Sequence, residues 1–170
     1  GTGENASGVS YANLIVTDPA YPTSPTATIS GTFDGYKTND VFTEADFAYL
    51  ATDTNTKEVV TISLGGVNGD GKYSEAGYFN APGNGNAEGV VTLGSVGYMV
   101  GGSKLYSFDL TAKTGSRPTL DADGVTLPGT GKKLVVVANR AFVVTSSSTA
   151  QLVIIDVSSP SNLVVLDQVG

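Results

Sequence analysis

The sequence predicts an all-β fold of tandem four-stranded antiparallel sheets, arranged as in a β-propeller, and three observations carry that expectation. A short strand pattern closing on a polar turn recurs four times, as Asn13-Leu-Ile-Val-Thr-Asp18, Glu58-Val-Val-Thr-Ile-Ser63, Lys104-Leu-Tyr-Ser-Phe-Asp109 and Gln151-Leu-Val-Ile-Ile-Asp156, with starts 45, 46 and 47 residues apart. A period near 45 built on short strands is the mark of an array of small sheets. Three ten-residue blocks beginning at Val41, Val90 and Leu134 also align without a gap, each reading as strand, two-residue turn, strand. Finally, no segment carries an apolar period of 3.6 with caps, while Thr, Val, Ser and Gly are abundant.

Taken in order, each unit should contain an apolar hairpin, the recurring strand and a fourth strand after a turn. The hairpins fall at 41–44 with 47–50, 90–93 with 96–100, and 134–137 with 140–144. Their turns are Ala45-Asp46, Gly94-Ser95 and Ala138-Asn139, small or polar pairs that suit tight connections. One aromatic recurs in the second hairpin strand, at Tyr49, Tyr98 and Phe142, and is expected to be buried between successive sheets. After the recurring strand, Asp156 precedes Pro160 and Asp18 precedes Pro22; the carboxylate should cap backbone amides of the turn. Fourth strands are expected at 26–30, 73–79, 119–125 and 163–166. The resulting division is a half unit at 12–35 and full units at 39–80, 88–127 and 132–169 of a single repeat domain.

The last copy, Gln151-Leu-Val-Ile-Ile-Asp-Val-Ser-Ser-Pro160 preceded by Ala141-Phe-Val-Val-Thr145, resembles the LVIVD repeat, named for its Leu-Val-Ile-Val-Asp strand. Ala48-Tyr-Leu-Ala-Thr-Asp53 with Lys57-Glu-Val-Val-Thr-Ile62 is a fair second copy, and Gly97-Tyr-Met-Val-Gly101 with Leu105-Tyr-Ser-Phe-Asp109 departs further. The resemblance covers nearly the whole chain. It implies β-propeller blades in extracellular and surface proteins of bacteria and archaea, some of which follow a pilin-like N-terminal segment. It brings no catalytic motif, so what it implies is a scaffold and a location.

Three units and a half fall short of the four to eight blades of closed propellers. The expectation is a piece of a longer or processed chain, with pairing between chains through open strand edges as the alternative. A start at Gly1 without methionine or signal segment fits removal of a leader or anchor, and no apolar run approaches about 18 residues.

Composition narrows the function classes. A net charge of −7 with nine Lys and Arg leaves no clustered basic surface for phosphates, which argues against nucleic acid and anionic membranes as partners. The absence of His and Cys removes a Ser-His-Asp triad, thiol nucleophiles and His- or Cys-bound metals. Carboxylate chemistry remains, with Glu44, Asp46, Asp53, Glu58, Glu75, Glu88, Asp121 and Asp123 as candidates, each of which reads better as a surface acid. Asn68-Gly-Asp70-Gly-Lys-Tyr-Ser-Glu75 and Asp121-Ala-Asp123-Gly124 have a calcium-like flavour but lack the full ligand set, and ordinary β-turns explain them. Residues 80–89, rich in Gly and Asn, read as a connection between units rather than a phosphate cradle. No catalytic, cofactor or metal site is assigned. The reading is a non-enzymatic extracellular or cell-surface repeat domain acting by protein or glycan contact. A subunit polymerising through strand edges and a carboxylate hydrolase on a propeller scaffold are the alternatives.

Overall fold

The computed structural model describes residues 3–4, 10–11, 28–83 and 85–170. Residues 1–30 and 31–170 form two compact units. In the first, β1 (Gly3–Glu4) pairs antiparallel with β2 (Ser10–Tyr11). The expected strand at 13–18, the cap by Asp18 and most of the half unit at 12–35 lie outside the described residues. The described end of the expected strand at 26–30, Thr28 to Ser30, has no regular structure.

The second unit is all-β, with three multi-stranded antiparallel sheets and no helix among the described residues. The first sheet contains β3 (Thr38–Glu44), β4 (Phe47–Thr52), β5 (Val59–Ser63) and β6 (Ser74–Phe79), ordered as in the sequence. The second contains β7 (Ala87–Leu93), β8 (Val96–Gly101) and β9 (Lys104–Asp109), and the third contains β12 (Gly131–Val137), β13 (Arg140–Thr145), β14 (Leu152–Asp156) and β15 (Val164–Val169). All three expected hairpins form in the expected register, with Glu44 opposite Phe47, Leu93 opposite Val96 and Val137 opposite Arg140. Ala45 and Ala138 take φ of 51° and Gly94 takes 61°, so the first loop residue is left-handed in every hairpin. Positive φ at the first position alone is the φ pattern of a type II′ turn, whose twist matches the flanking strands.

The fourth strand of the second sheet departs from expectation. Residues 119–125 were expected to form it, but only an isolated bridge joins Thr119 to Phe108, and β11 (Val125–Thr126) pairs briefly with Lys104 and Leu105 of β9. Ahead of that bridge the chain leaves its own sheet, and β10 (Gly115–Arg117) adds in parallel to β6, making the first sheet five-stranded. Gly77 permits the approach, because a Cβ there would lie 2.6 Å from the carbonyl oxygen of Gly115.

Strand alternation puts two apolar faces on each sheet, and the sheets stack through them. Tyr49, Ala51, Val59 and Phe79 of the first sheet pack with Met99, Tyr106 and Phe108 of the second. On the opposite side of the second sheet, Tyr98, Val100 and Leu105 pack with Ala141, Val143, Val153 and Ile155 of the third. Phe79 and Phe108 stack across the first interface with centroids 4.4 Å apart. Phe108 lies flat over its cross-strand neighbour Gly97, where a Cβ would meet the ring at 2.2 Å. This is why the second unit has glycine where the others have Ala48 and Ala141.

Tyr49 and Tyr98 are buried as expected, at 0% and 2% exposure. Phe142 holds the equivalent place, opposite Val135 and Ile154, but is only half-buried. Its face of the third sheet has no further sheet packed on it among the described residues.

Candidate functional site

One irregularity repeats at the start of the edge strand that opens each sheet, β3, β7 and β12. In β3 the register slips between Thr38 and Asp40, in β7 between Ala87 and Gly89, and in β12 between Gly131 and Lys133. Each slip is a β-bulge, and the extra residues are Asn39, Glu88 and Lys132. A bulge unpairs one residue and re-aims its neighbours, which is how sheets commonly build binding edges. Strand β7 adjoins both β3 and β12, so the three bulges gather polar side chains at one end of these three edge strands.

The side chains there are tied to one another across the sheets. The Asn39 amide donates to the Asp53 carboxylate and to the Ala87 carbonyl oxygen, the latter at 2.8 Å. Lys37 donates to the other oxygen of Asp53. Asp40 receives the Val90 amide at 3.2 Å on one oxygen and the Lys133 ammonium on the other, joining all three sheets through a single carboxylate. Lys132 and Glu88 stand 3.8 Å apart. Hydrogen bonds from Lys37 and then Asn39 hold Asp53 below the usual carboxylate range, so it is an anion at neutral pH. The same contact with Asp53 raises the Lys37 pKa. The site therefore offers fixed carboxylates, an amide and three ammonium groups, with Lys37, Lys132 and Lys133 mostly open to solvent.

The carboxylates singled out from the sequence do not converge into one group. Glu44 accepts from the Thr92 hydroxyl at 2.6 Å, at the hairpin end of the strands. Asp46 is exposed in its turn, and Asp123 is exposed in the loop before β11. Glu75 on β6 accepts from Lys57 at 2.7 Å and from the Tyr36 hydroxyl at 2.6 Å. Partial burial pushes Glu75 up, but those two hydrogen bonds outweigh it and hold the group below its usual range. Asp121 is structural: its two oxygens receive the Gly124 amide and, across to the third sheet, the Leu163 amide at 3.0 Å. Only Asp53 and Glu88 belong to the bulge cluster.

Glu58 contradicts its reading as a surface acid. It is fully buried, with one oxygen accepting the Ala81 amide at 2.9 Å and the other without a partner. Burial pushes its carboxyl up, against the lowering effect of the amide bond. The equivalent positions Lys104 and Gln151 are not buried, so the alignment carried no sign of it.

The loop at 68–75 is a turn closed on itself. The Asn68 side-chain oxygen accepts the Asp70 and Lys72 amides at 3.0 and 2.9 Å, and Glu75 is held by Lys57. No group of three or more His, Cys, Asp or Glu suited to a metal ion occurs among the described residues. The cap by Asp156 forms as expected, its carboxylate receiving the Ser158 amide at 2.8 Å; Asp109 does the same for Thr111 at 2.9 Å. Both are held below the ordinary aspartate range by those backbone donors.

No family model matches the chain, and no curated protein matches it. Among solved structures it is similar to the computationally designed Ika8 protein, with a TM-score of 0.52 and 11% identity over 75% of this chain and 36% of that one. The chain thus spans about a third of Ika8. The computationally designed Ika4 protein is also similar, with a TM-score of 0.44 and 11% identity over 76% of this chain and 64% of that one. The Ika8 likeness bears on the fold alone and agrees with the all-β sheets; at its TM-score the Ika4 likeness carries no argument.

Among the described residues no helix is long and apolar enough to cross a membrane. The bulge cluster was missed from sequence because Asn39, Glu88 and Lys132 differ in type. A positional signal existed, since each stands two residues before an aligned block, at Val41, Val90 or Leu134.

Proposed function

We propose that this chain is a non-catalytic, propeller-like repeat domain of the LVIVD kind, displayed outside the cell, that binds a protein or glycan at the polar end of its edge strands β3, β7 and β12. The observation that carries this reading is the same bulge in three successive sheets, each presenting a different polar side chain at one position. A scaffold that holds its sheets rigid while varying one outward position suits recognition, because the contact groups are prearranged and the residue type is free to change. Amide, carboxylate and ammonium groups side by side can donate to and accept from hydroxyl-rich or mixed-charge surfaces.

A glycan array and a panel of surface-protein extracts, probed with the labelled chain, test the reading. Retained binding should fall at least about tenfold in Asp53→Ala and Lys132→Ala, consistent with loss of one charged hydrogen bond. The reading fails if binding survives both changes, or if a bound glycan is cleaved.

A further inference from the structure

We propose that Asn68 is a self-modification site, at which the folded chain expels ammonia and forms a cyclic imide with the backbone nitrogen of Gly69, opening to aspartate or isoaspartate. Asn68-Gly69 is one of two Asn-Gly steps in the sequence, the other being Asn84-Gly85. Glycine after asparagine leaves the attacking nitrogen without a side chain beside it. The fold adds what the sequence does not show.

The turn treats the three reacting groups differently. The Asn68 side-chain oxygen accepts two backbone amides, from Asp70 at 3.0 Å and from Lys72 at 2.9 Å. Among the described residues, neither the Gly69 amide nor the Asn68 side-chain nitrogen has a partner. Gly69 is exposed, and nothing lies within 4 Å of where its Cβ would stand. The oxygen is held, while the nucleophile and the leaving group are free.

That arrangement suits ring closure. Gly69 gives its N–H proton to hydroxide, and the nitrogen's electron pair forms a bond to Asn68 Cγ. The carbonyl pair moves onto the side-chain oxygen, and two prearranged N–H donors stabilise that oxyanion more than they stabilise the neutral amide. Collapse breaks the bond from Cγ to the side-chain nitrogen, which takes a proton from water and leaves as ammonia, restoring the hydroxide. The same oxygen persists in the imide, so neither amide hydrogen bond has to break. Water then opens the ring at either carbonyl. One carboxylate replaces one neutral amide in both products, which takes the net charge from −7 to −8.

Isoaspartate has a consequence for the sheet beneath. It adds the side-chain methylene to the main chain and takes the Asn68 main-chain carbonyl out of it. In the turn, the Asn68 amide donates to the Lys72 carbonyl oxygen at 2.8 Å, and the Asn68 carbonyl oxygen accepts the Gly71 amide at 3.0 Å. Just beyond, the Thr32 amide donates to the Gly71 carbonyl oxygen and the Tyr73 amide to the Thr32 carbonyl oxygen, at 3.1 and 2.8 Å. Tyr73 packs against the face of the first sheet formed by Ala48, Val60 and Ile62. A longer main chain at residue 68 changes the spacing of these bonds and loosens that cover; aspartate leaves the main chain as it was.

Peptide mapping by mass spectrometry during incubation in mildly alkaline buffer reads the reaction. Trypsin cleavage after Lys57 and Lys72 places Asn68 in the fragment 58–72, apart from Asn84. Asn68 in the folded chain should convert at least about threefold faster than in a synthetic peptide of residues 64–74, the effect of one ordinary hydrogen bond on the oxyanion. Gly69→Ala, at a position where a Cβ meets nothing, should slow conversion at least about tenfold by obstructing the attack. The isoaspartate fraction should exchange the Thr32 and Tyr73 amides at least about tenfold faster than the fresh chain. A folded rate equal to or below that of the peptide, or conversion undiminished in Gly69→Ala, would overturn the site. Unchanged exchange in the isoaspartate fraction would overturn the loosening of the cover.

Discussion

The first and third sheets are built from the same repeat yet end the stack in opposite ways. The first sheet's outward face is closed by Phe33 and Tyr36, whose rings stack at 5.9 Å, and by the loop through Leu64 and Tyr73. Its outer edge is closed as well, by the parallel strand β10 borrowed from the next unit in the chain. Among the described residues the third sheet has neither cover: Val135, Val137 and Val144 are exposed on its face, and Leu166 and Val169 on its outermost strand. The difference teaches that burial in a repeat array is decided by the neighbour each unit meets, not by the unit's own sequence.

The sharpest way to break that comparison is to truncate the same aromatic position at both ends of the stack. Tyr49→Ala should cost about 3–5 kcal/mol, since the ring is fully buried. Phe142→Ala should cost no more than about 1–2 kcal/mol, in proportion to the smaller area it buries. Urea unfolding of the two variants measures both; equal losses would mean that the third sheet's face is covered after all.

The seal on the first sheet offers a second test. Glu75→Gln removes the charge that Lys57 and Tyr36 address, and should cost about 1 kcal/mol, allowing for solvent screening of a partly exposed pair. The folded-state pKa of Glu75 lies below its unfolded value. Its contribution is therefore complete above the unfolded carboxylate range and lost as pH falls through the folded value. Unfolding midpoints tracked downward from neutral pH should converge for wild type and variant in acid.

Glu58 has the opposite sign. Burial raises its folded-state pKa, so the folded chain holds that proton more tightly than the unfolded one. Stability should fall as pH rises from the unfolded carboxylate value through the raised one, and Glu58→Gln should abolish that fall. Chemical denaturation at several pH values checks the slope, and an unchanged slope in the variant would remove the assignment. The smallest expected effect lies in the turns: Ala45→Gly and Ala138→Gly should each stabilise by about 0.5–1 kcal/mol, because glycine adopts positive φ without the Cβ strain that φ of 51° imposes on alanine.

Much of the architecture was legible because it is local. Alternation around a two-residue turn fixes a hairpin's register, so the three gapless blocks located β3–β4, β7–β8 and β12–β13 directly. The turn cap by Asp156 was readable for the same reason, since donor and acceptor are two residues apart. The strand β10 was not, because its partner β6 is distant in sequence and its enabling residue, Gly77, is silent without the structure. The burial of Glu58 was hidden too, as the first position of the repeat is polar in every copy and the Ala81 amide that Glu58 accepts lies 23 residues away. The bulge cluster was half legible: the position recurs, but three different side chains concealed a shared geometry.

The chain has no cysteine, so single thiols report exposure without background. Ile62→Cys on the sealed face and Val144→Cys on the open one, labelled in dilute solution, test the asymmetry of the two ends most directly. The account predicts that Val144→Cys reacts within about tenfold of the unfolded chain, while Ile62→Cys is slowed by at least about 100-fold and reacts only through unfolding. Equal protection of the two thiols at that dilution would contradict it.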